Sequence, residues 1–295
     1  MPKISIIVPL YNKERFIKKT ISSVLEQSFS DFELIIVNDG STDCSLDEVH
    51  TFDDARIVVV NKDNGGVSSA RNAGILRANT DWLFFLDADD VLQEDCLRVL
   101  YELHERHVDA DICCGNFIMQ YPNIACECYC KEKKECVVQN NFKDFYNQRF
   151  FLRTGIFIVR RDVLDKTGLF DENLSLFEDL ELFFKMMRVC KIVYTPDCVF
   201  IYEKMGSELS RKIASRSSAY RVNLDNTSHY EKKLYTKILI DEMITARRDK
   251  RLILQLVAEQ KKHLIYIIFH FFPCLLTSLN NACFWQRVTR RFFAK

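Results

Sequence analysis

Trp82-Leu-Phe-Phe-Leu-Asp-Ala-Asp-Asp90 is an apolar run of strand length that stops in three carboxylates. Carboxylates this close repel one another and are costly to crowd without a counter-cation. Hard oxygen ligands at a strand end suit Mg²⁺ or Mn²⁺, which bind through one or two carboxylates plus substrate phosphates. In an open α/β sheet, ligands sit beyond the carboxyl ends of the strands. The run therefore reads in one of two ways. It holds a metal and a diphosphate, with Asp87 and Asp89 as candidate ligands, or it is a loop of solvated acids with a helix cap at Asp89 or Asp90.

Three further stretches bear on the choice. Ile4-Ser-Ile-Ile-Val-Pro-Leu-Tyr-Asn12 is a buried-strand pattern ended by Pro9, with Tyr11 and an N-cap candidate, Asn12, behind it. Phe32-Glu-Leu-Ile-Ile-Val-Asn-Asp-Gly-Ser-Thr-Asp43 is again a strand running into acid and turn residues. Asn64-Gly-Gly-Val-Ser-Ser-Ala-Arg-Asn-Ala-Gly74 reads as a glycine turn opening a helix whose small side chains permit close packing. The strands start about 25–30 residues apart, as successive βα units do. No G-x-G-x-x-G follows the first strand, which excludes a Rossmann dehydrogenase.

In this order the four motifs resemble the family-two glycosyltransferases of the GT-A fold, over roughly residues 4–210. The resemblance implies an α/β protein with a GT-A-like open, mixed, mostly parallel sheet flanked by helices, and a helical C-terminal appendage. Residues 1–212 would be the catalytic domain and 213–295 the appendage. It implies an inverting transfer of a sugar from a UDP-sugar donor to a hydroxyl of a glycan or lipid-linked acceptor, with Mn²⁺ or Mg²⁺ as cofactor. Pro9, Tyr11 and Asn12 would line the donor nucleotide. The Asp39 carboxylate can accept the imide N–H of uracil, although Asp39-Gly40 is also a turn-forming pair. The family places Asp39 on the base and Arg71 near the nucleotide; a structural ion pair is the other reading of Arg71. Asp87 would reach the ribose or a metal-bound water, and Asp89 the metal itself.

The base should come from the second half. Leu176-Phe-Glu-Asp-Leu-Glu-Leu182 sets Glu178 and Asp179 at a helix start, where the helix dipole favours ionised carboxylates. Plain charge placement at a helix end would look the same. By resemblance Asp179 is the general base and Glu178 an acceptor or sugar contact; Glu181 is the weaker candidate. The family often closes its site with Tyr-x-x-His-x-x-Ser-x-Ser. Here Tyr202-Glu-Lys-Met-Gly-Ser-Glu-Leu-Ser-Arg211 keeps Ser210 but has Met205 in the histidine's place. Lys204, Ser207, Ser210 and Arg211 are the candidates of that loop, the two cations for the diphosphate.

Charge is uneven although the formal net charge is zero. Residues 203–295 hold 18 Lys+Arg against 8 Asp+Glu, which leaves 23 against 33 in residues 1–202. Leu264–Leu279 is strongly apolar but shorter than the roughly 20 residues a spanning helix needs. Lys261, Lys262, Arg287, Arg290 and Arg291 flank it, with Trp285, Phe292 and Phe293 nearby. It reads as an in-plane membrane anchor or as a core helix. The 12 cysteines, with no signal-peptide pattern, predict free thiols in a reducing cytoplasm, at the inner face of the plasma membrane if the anchor holds. Cys126, Cys128 and Cys130 would share one face of a strand, as small hydrophobes rather than zinc ligands. No nucleic-acid partner is expected, and the sequence leaves the oligomeric state open. Two other classes are a nucleotidyltransferase, which would want a Gly-rich basic phosphate loop that Pro9–Asn12 is not, and a non-catalytic sugar-nucleotide-binding protein, which would want one of Asp87, Asp89 or Asp179 lost.

Overall fold

The computed structural model describes residues 2–120, 127–174, 177–203 and 228–235. The chain divides into two compact units, Met1–Met205 with Ser218–Tyr220, and Gly206–Ser217 with Arg221–Lys295. Of the second unit only residues 228–235 are described, and 229–235 are helical. The remainder of the expected C-terminal appendage, including the apolar segment, lies outside the described residues.

The first unit begins with β1 (Ile4–Leu10), β2 (Phe32–Asp39), β3 (Ile57–Lys62) and β4 (Trp82–Phe85), all mutually parallel. β1, β2 and β4 are apolar on both faces because both faces are covered. Ile4, Ile6, Ile7, Val8, Leu34, Ile35, Ile36, Leu83 and Phe84 are all buried. Beyond β4 the sheet continues with β8 (Phe157–Arg160), antiparallel to both β4 and β5 (Ile112–Gln120). β9 (Ile192–Glu203) runs parallel to β5, and β7 (Cys136–Val137) closes the edge antiparallel to β9. The short β6 (Glu127–Cys128) pairs with the far end of β5. The eight strands in the order β3-β2-β1-β4-β8-β5-β9-β7, with β6 as a ninth on β5, thus form a mixed sheet in which most strands share one direction.

Helices α1 (Ile17–Leu25), α2 (Ser45–His50), α3 (Val67–Arg77), α4 (Cys96–Arg106), α5 (Asn141–Tyr146), α6 (Arg161–Thr167) and α7 (Glu178–Val189) connect these strands. On α4 the expected stripe of Leu97, Leu100 and Leu103 faces the core. α3 packs on β1 and β2 through small residues. A Cβ built on Gly74 would stand 2.4 Å from Ile7 Cγ2, closer than van der Waals contact allows. Gly74→Ala is therefore expected to lower the melting temperature, since overpacking costs about 1–3 kcal/mol. That exceeds the gain in helix propensity, of roughly 1 kcal/mol. A melting temperature that rises would contradict this packing.

Several sequence expectations need correction. The spacing of Ile17, Ile21, Val24 and Leu25 predicts a helix from about Lys13 to Gln27, but it starts at Ile17, because residues 13–16 form a turn held by the neighbouring loop. Leu25, expected on its inner face, is only half-buried. The aromatic-rich stretch Phe142–Phe151 reads in sequence as a helix, but it is helical only as far as Tyr146; Phe150 and Leu152 are buried in irregular chain. Ile192–Tyr194 and Val199–Tyr202 read in sequence as two short strands, but they are one, with Pro196 accommodated where the β5 register shifts. Helical spacing over Phe177–Val189 predicts Phe177, Leu180, Phe184 and Met187 inward, but Phe177 and Leu180 are only half-buried, and the inward side of α7 is Glu181–Phe184 with Met186 and Met187, since the helix is covered on more than one side. Cys128 is exposed and Cys130 buried, so of these two only Cys130 is a buried packing group; β6 ends at Cys128, and Cys126 lies outside the described residues. Burial pushes the Cys113 and Cys130 thiols up to about 12, which leaves them neutral packing groups.

Candidate active site

β1, β2 and β4 are parallel neighbours in register, so their carboxyl ends deliver residues 11–13, 39–43 and 86–90 to one side of the sheet. Pro9 is half-buried within β1 and pairs with Val37. Tyr11 is 47% exposed, with its ring free to meet a flat partner. Asn12 turns the chain in the left-handed region at φ 50°. Its Oδ1 accepts from the Thr42 amide at 2.8 Å, and its own N–H donates to Ser41 Oγ at 3.2 Å. The Lys13 N–H donates to Ser45 Oγ at 2.7 Å and that of Glu14 to Asp43 Oδ2 at 3.2 Å. The β1 turn is thereby fastened to the β2 turn.

Asp39 is buried and already engaged. Oδ1 accepts from Lys62 Nζ at 2.7 Å and the Gly65 amide at 2.9 Å, and Oδ2 from the Gly66 amide at 2.8 Å. Three of roughly four lone-pair positions are used. Asp39 thus holds the turn that starts α3, with Gly66 at φ 88°, and keeps one position on Oδ2.

Arg71, on α3, is the hub. Its guanidinium reaches Asp87 Oδ1 at 2.8 Å and Glu178 Oε1 at 3.3 Å, and lies 5.1 Å from the centre of the Phe170 ring. The side chain is buried, and Nε has no protein partner. The ion-pair reading of Arg71 is thus what the geometry contains. The same contact brings the end of β4 together with the start of α7. Partial burial opposes ionisation of Asp87, but the charges of Arg71 and Arg153 and the Thr154 hydroxyl, 3.2 Å from Oδ2, hold its carboxyl below the usual range.

Each acid of the run faces its own cation: Asp87 has Arg71, Asp89 has Lys13 Nζ at 2.6 Å, and Asp90 has Arg153 Nη2 at 3.3 Å. Arg153 is clamped over the rings of Phe200 and Tyr202, 4.4 and 4.3 Å from their centres. Three cations do not fully relieve the crowding. Burial and the charge of Asp87 push the Asp90 carboxyl up to about 7, against Arg153. Among the described residues no three His, Cys, Asp or Glu side chains converge on one metal position. What the run offers is one or two carboxylate oxygens at an over-negative strand end, and that donor set fits Mg²⁺ or Mn²⁺ shared with a diphosphate.

Glu178 and Asp179 open α7, behind Phe177 at φ 60°, an uncommon conformation for an aromatic residue. Asp179 is half-buried. Desolvation first, then the charge of Glu178, push its carboxyl up to about 6, against Arg71 and the Leu180 amide. Glu181 is buried, with Oε1 on Lys185 at 2.6 Å and Oε2 without a protein partner. Lys204, Ser207, Ser210 and Arg211 lie outside the described residues.

Lys13, Arg153 and Thr154 also stand at the site, and no motif marks them. In sequence Lys13 reads only as a helix start. Arg153-Thr154-Gly155 belongs to no motif; its one local signal is Gly155, at φ 88°, where a Cβ would stand 2.9 Å from the Phe200 ring.

The comparisons agree with this geometry. The Glycosyl transferase family 2 profile matches residues 5–168, more than half of the chain. The chain belongs to glycosyl transferase family 2. It is similar to the uncharacterized glycosyltransferase EpsJ of Bacillus subtilis (strain 168), 30% identical over 295 residues, covering 96% of this chain and 79% of that protein. It is 27% identical over 255 residues to the minor teichoic acid biosynthesis protein GgaA of the same organism, covering 83% of this chain and 54% of that one. Its fold matches that of S. aureus TarS 1-349 in complex with UDP-GlcNAc, with a TM-score of 0.61 at 23% identity, over 95% of this chain and 76% of that one. The fold is GT-A, as the sheet order and the sequence motifs lead one to expect. Among the described residues no helix is long and apolar enough to cross a membrane.

Proposed function

We propose that this glycosyltransferase moves a hexose-type sugar from a UDP-sugar to a hydroxyl of a glycan or lipid-linked acceptor, with inversion, in the synthesis of a surface polysaccharide. The observation that carries the reading is Asp179. It is poised near neutrality at the mouth of α7 and joined through Glu178 and Arg71 to Asp87. A carboxylate with a pKa near 6 is ionised at neutral pH yet basic enough to take a proton. In this reading Asp179 removes the proton of the acceptor hydroxyl, whose oxygen attacks the anomeric carbon opposite the leaving diphosphate. Glu178 orients the acceptor or the sugar. Tyr11 stacks on the base, and the remaining position on Asp39 Oδ2 takes the uracil imide. Mn²⁺ or Mg²⁺ on Asp89, with Asp87 behind it, would neutralise charge developing on the diphosphate. GgaA and TarS, one named for teichoic acid synthesis and one seen with UDP-GlcNAc, support the donor class and the polysaccharide role.

Turnover is expected to rise with pH through about 6 and level off. At pH 5 it should be about tenfold below the plateau, since the base must be unprotonated. A flat kcat profile from pH 5 to 7 would remove Asp179 from that role. A thermal-shift screen of nucleotides with Mn²⁺ tests the donor class. UDP and UDP-sugars should raise the melting temperature; a response confined to nucleoside triphosphates would favour a nucleotidyltransferase.

We place the catalytic domain at residues 1–212. Residues 213–295 are read as a helical region meeting the inner face of the plasma membrane, on the strength of the apolar segment and its basic flanks. Truncation after Arg251 should then abolish co-sedimentation with anionic vesicles and leave UDP binding intact; loss of folding would mean that the segment completes a core.

A further inference from the structure

Lys13 is a charged group at the site that the transfer mechanism does not use. Its Nζ stands 2.6 Å from Asp89 Oδ2 and 5.7 Å from the centre of the Phe16 ring. Both partners of the ion pair are more than a third exposed, so the ammonium is free to swing. Its backbone is not free: the N–H is held by Ser45 Oγ, beside the left-handed turn at Asn12. The head is thus mobile on a fixed base, in direct contact with the carboxylate proposed to bind the metal.

A divalent cation on that carboxylate would lie about 2.0–2.1 Å from its oxygen. An ammonium 2.6 Å from Oδ2 would be in close repulsion with a cation on that oxygen, so at Oδ2 the two are alternatives. A cation on Asp89 would be shared with the donor's diphosphate, which brings an anion within the reach of the displaced side chain. We propose that Lys13 is an exchangeable counter-ion: it occupies Asp89 until a divalent cation takes its place, and its ammonium then passes to the diphosphate. This rests on Asp89 as the metal ligand. The exchange makes metal and nucleotide binding cooperative, because the ammonium released by the metal gains a partner in the diphosphate. Arg71 on Asp87 and Arg153 on Asp90 are less exposed and are fixed by rings and second partners.

The test is binding by the full chain, with Lys13→Met and Asp89→Asn beside the wild type. Mn²⁺ alone is titrated first, followed by electron paramagnetic resonance. Removing an exposed competitor should tighten Mn²⁺ binding by Lys13→Met about two- to fivefold, the worth of one exposed ion pair. UDP is then titrated at saturating Mn²⁺. Here Lys13→Met should bind about tenfold more weakly, having lost a charge-assisted contact to phosphate. These opposite changes are the signature of the exchange, and Lys13→Arg should restore UDP affinity. Unchanged or weaker Mn²⁺ binding in Lys13→Met, with Asp89→Asn deficient, overturns the exchange and leaves Asp89 as the ligand. Unchanged UDP affinity in Lys13→Met overturns the transfer to phosphate. Unchanged Mn²⁺ affinity in Asp89→Asn overturns the metal reading on which both stand.

Discussion

Asp179→Asn is expected to lower turnover by about 10²–10⁴-fold while UDP binding stays intact, the range for loss of a general base. The amide keeps the volume and an oxygen for the Leu180 N–H, but it cannot take a proton from the acceptor. The same change is expected to make the protein more stable at neutral pH. Asp179 has its folded pKa raised from 3.8 to about 6, chiefly by desolvation. The native state therefore binds the proton more tightly than the unfolded chain. Stability from this group is complete below about pH 4 and is lost as pH rises to about 6. At pH 7 the ionised side chain costs about 1–3 kcal/mol, discounted for its partial exposure. Asparagine removes that cost, so a melting temperature some degrees higher should accompany the lost activity, as active-site residues held at the expense of stability allow. A large loss of turnover from Glu178→Gln, with near-normal Asp179→Asn, would show that the neighbouring carboxylate is the base.

Arg71→Met is expected to damage stability and donor binding together. It strips the counter-charge from Asp87 and Glu178, which Arg71 meets at 2.8 and 3.3 Å. Breaking a buried ion pair from one side costs about 3–5 kcal/mol. The low end applies here, because Asp87 is 35% exposed and water can replace part of the loss. About 3 kcal/mol corresponds to roughly 6–12 °C in melting temperature for a unit of this size. Arg71→Lys should recover only part, since one ammonium cannot serve two carboxylates in the forked geometry. An Arg71→Met protein that melts as the wild type does would mean that the hub is not structural.

Most of the fold is legible in the sequence because β1, β2 and β4 are buried on both faces and run into acids, amides or glycine; β3, at the sheet edge, is only half-buried. Such runs as Ile4–Leu10 and Phe32–Asp39 carry their burial in composition alone. The region after Ile112 was less legible. There strands run in both directions, Pro196 sits inside one, and Phe150 is buried without periodic structure around it. The site divided in the same way. Residues at strand ends, such as Asp39 and Asp87, announced themselves by position. Arg153 and Thr154 did not, because their partners lie more than 60 residues away and only the folded sheet brings them to Asp90 and Asp87. Arg71, Asp87 and Glu178 each stand out in the sequence, but their pairing does not, for the same reason.

Calorimetric titration of UDP with and without Mn²⁺ tests most directly whether a divalent cation at Asp89 completes a UDP site. Wild-type protein should bind UDP much more tightly with Mn²⁺ present. Asp89→Asn, with its melting temperature retained, should lose that increment. UDP affinity that is the same with and without Mn²⁺, and the same in both proteins, would contradict it.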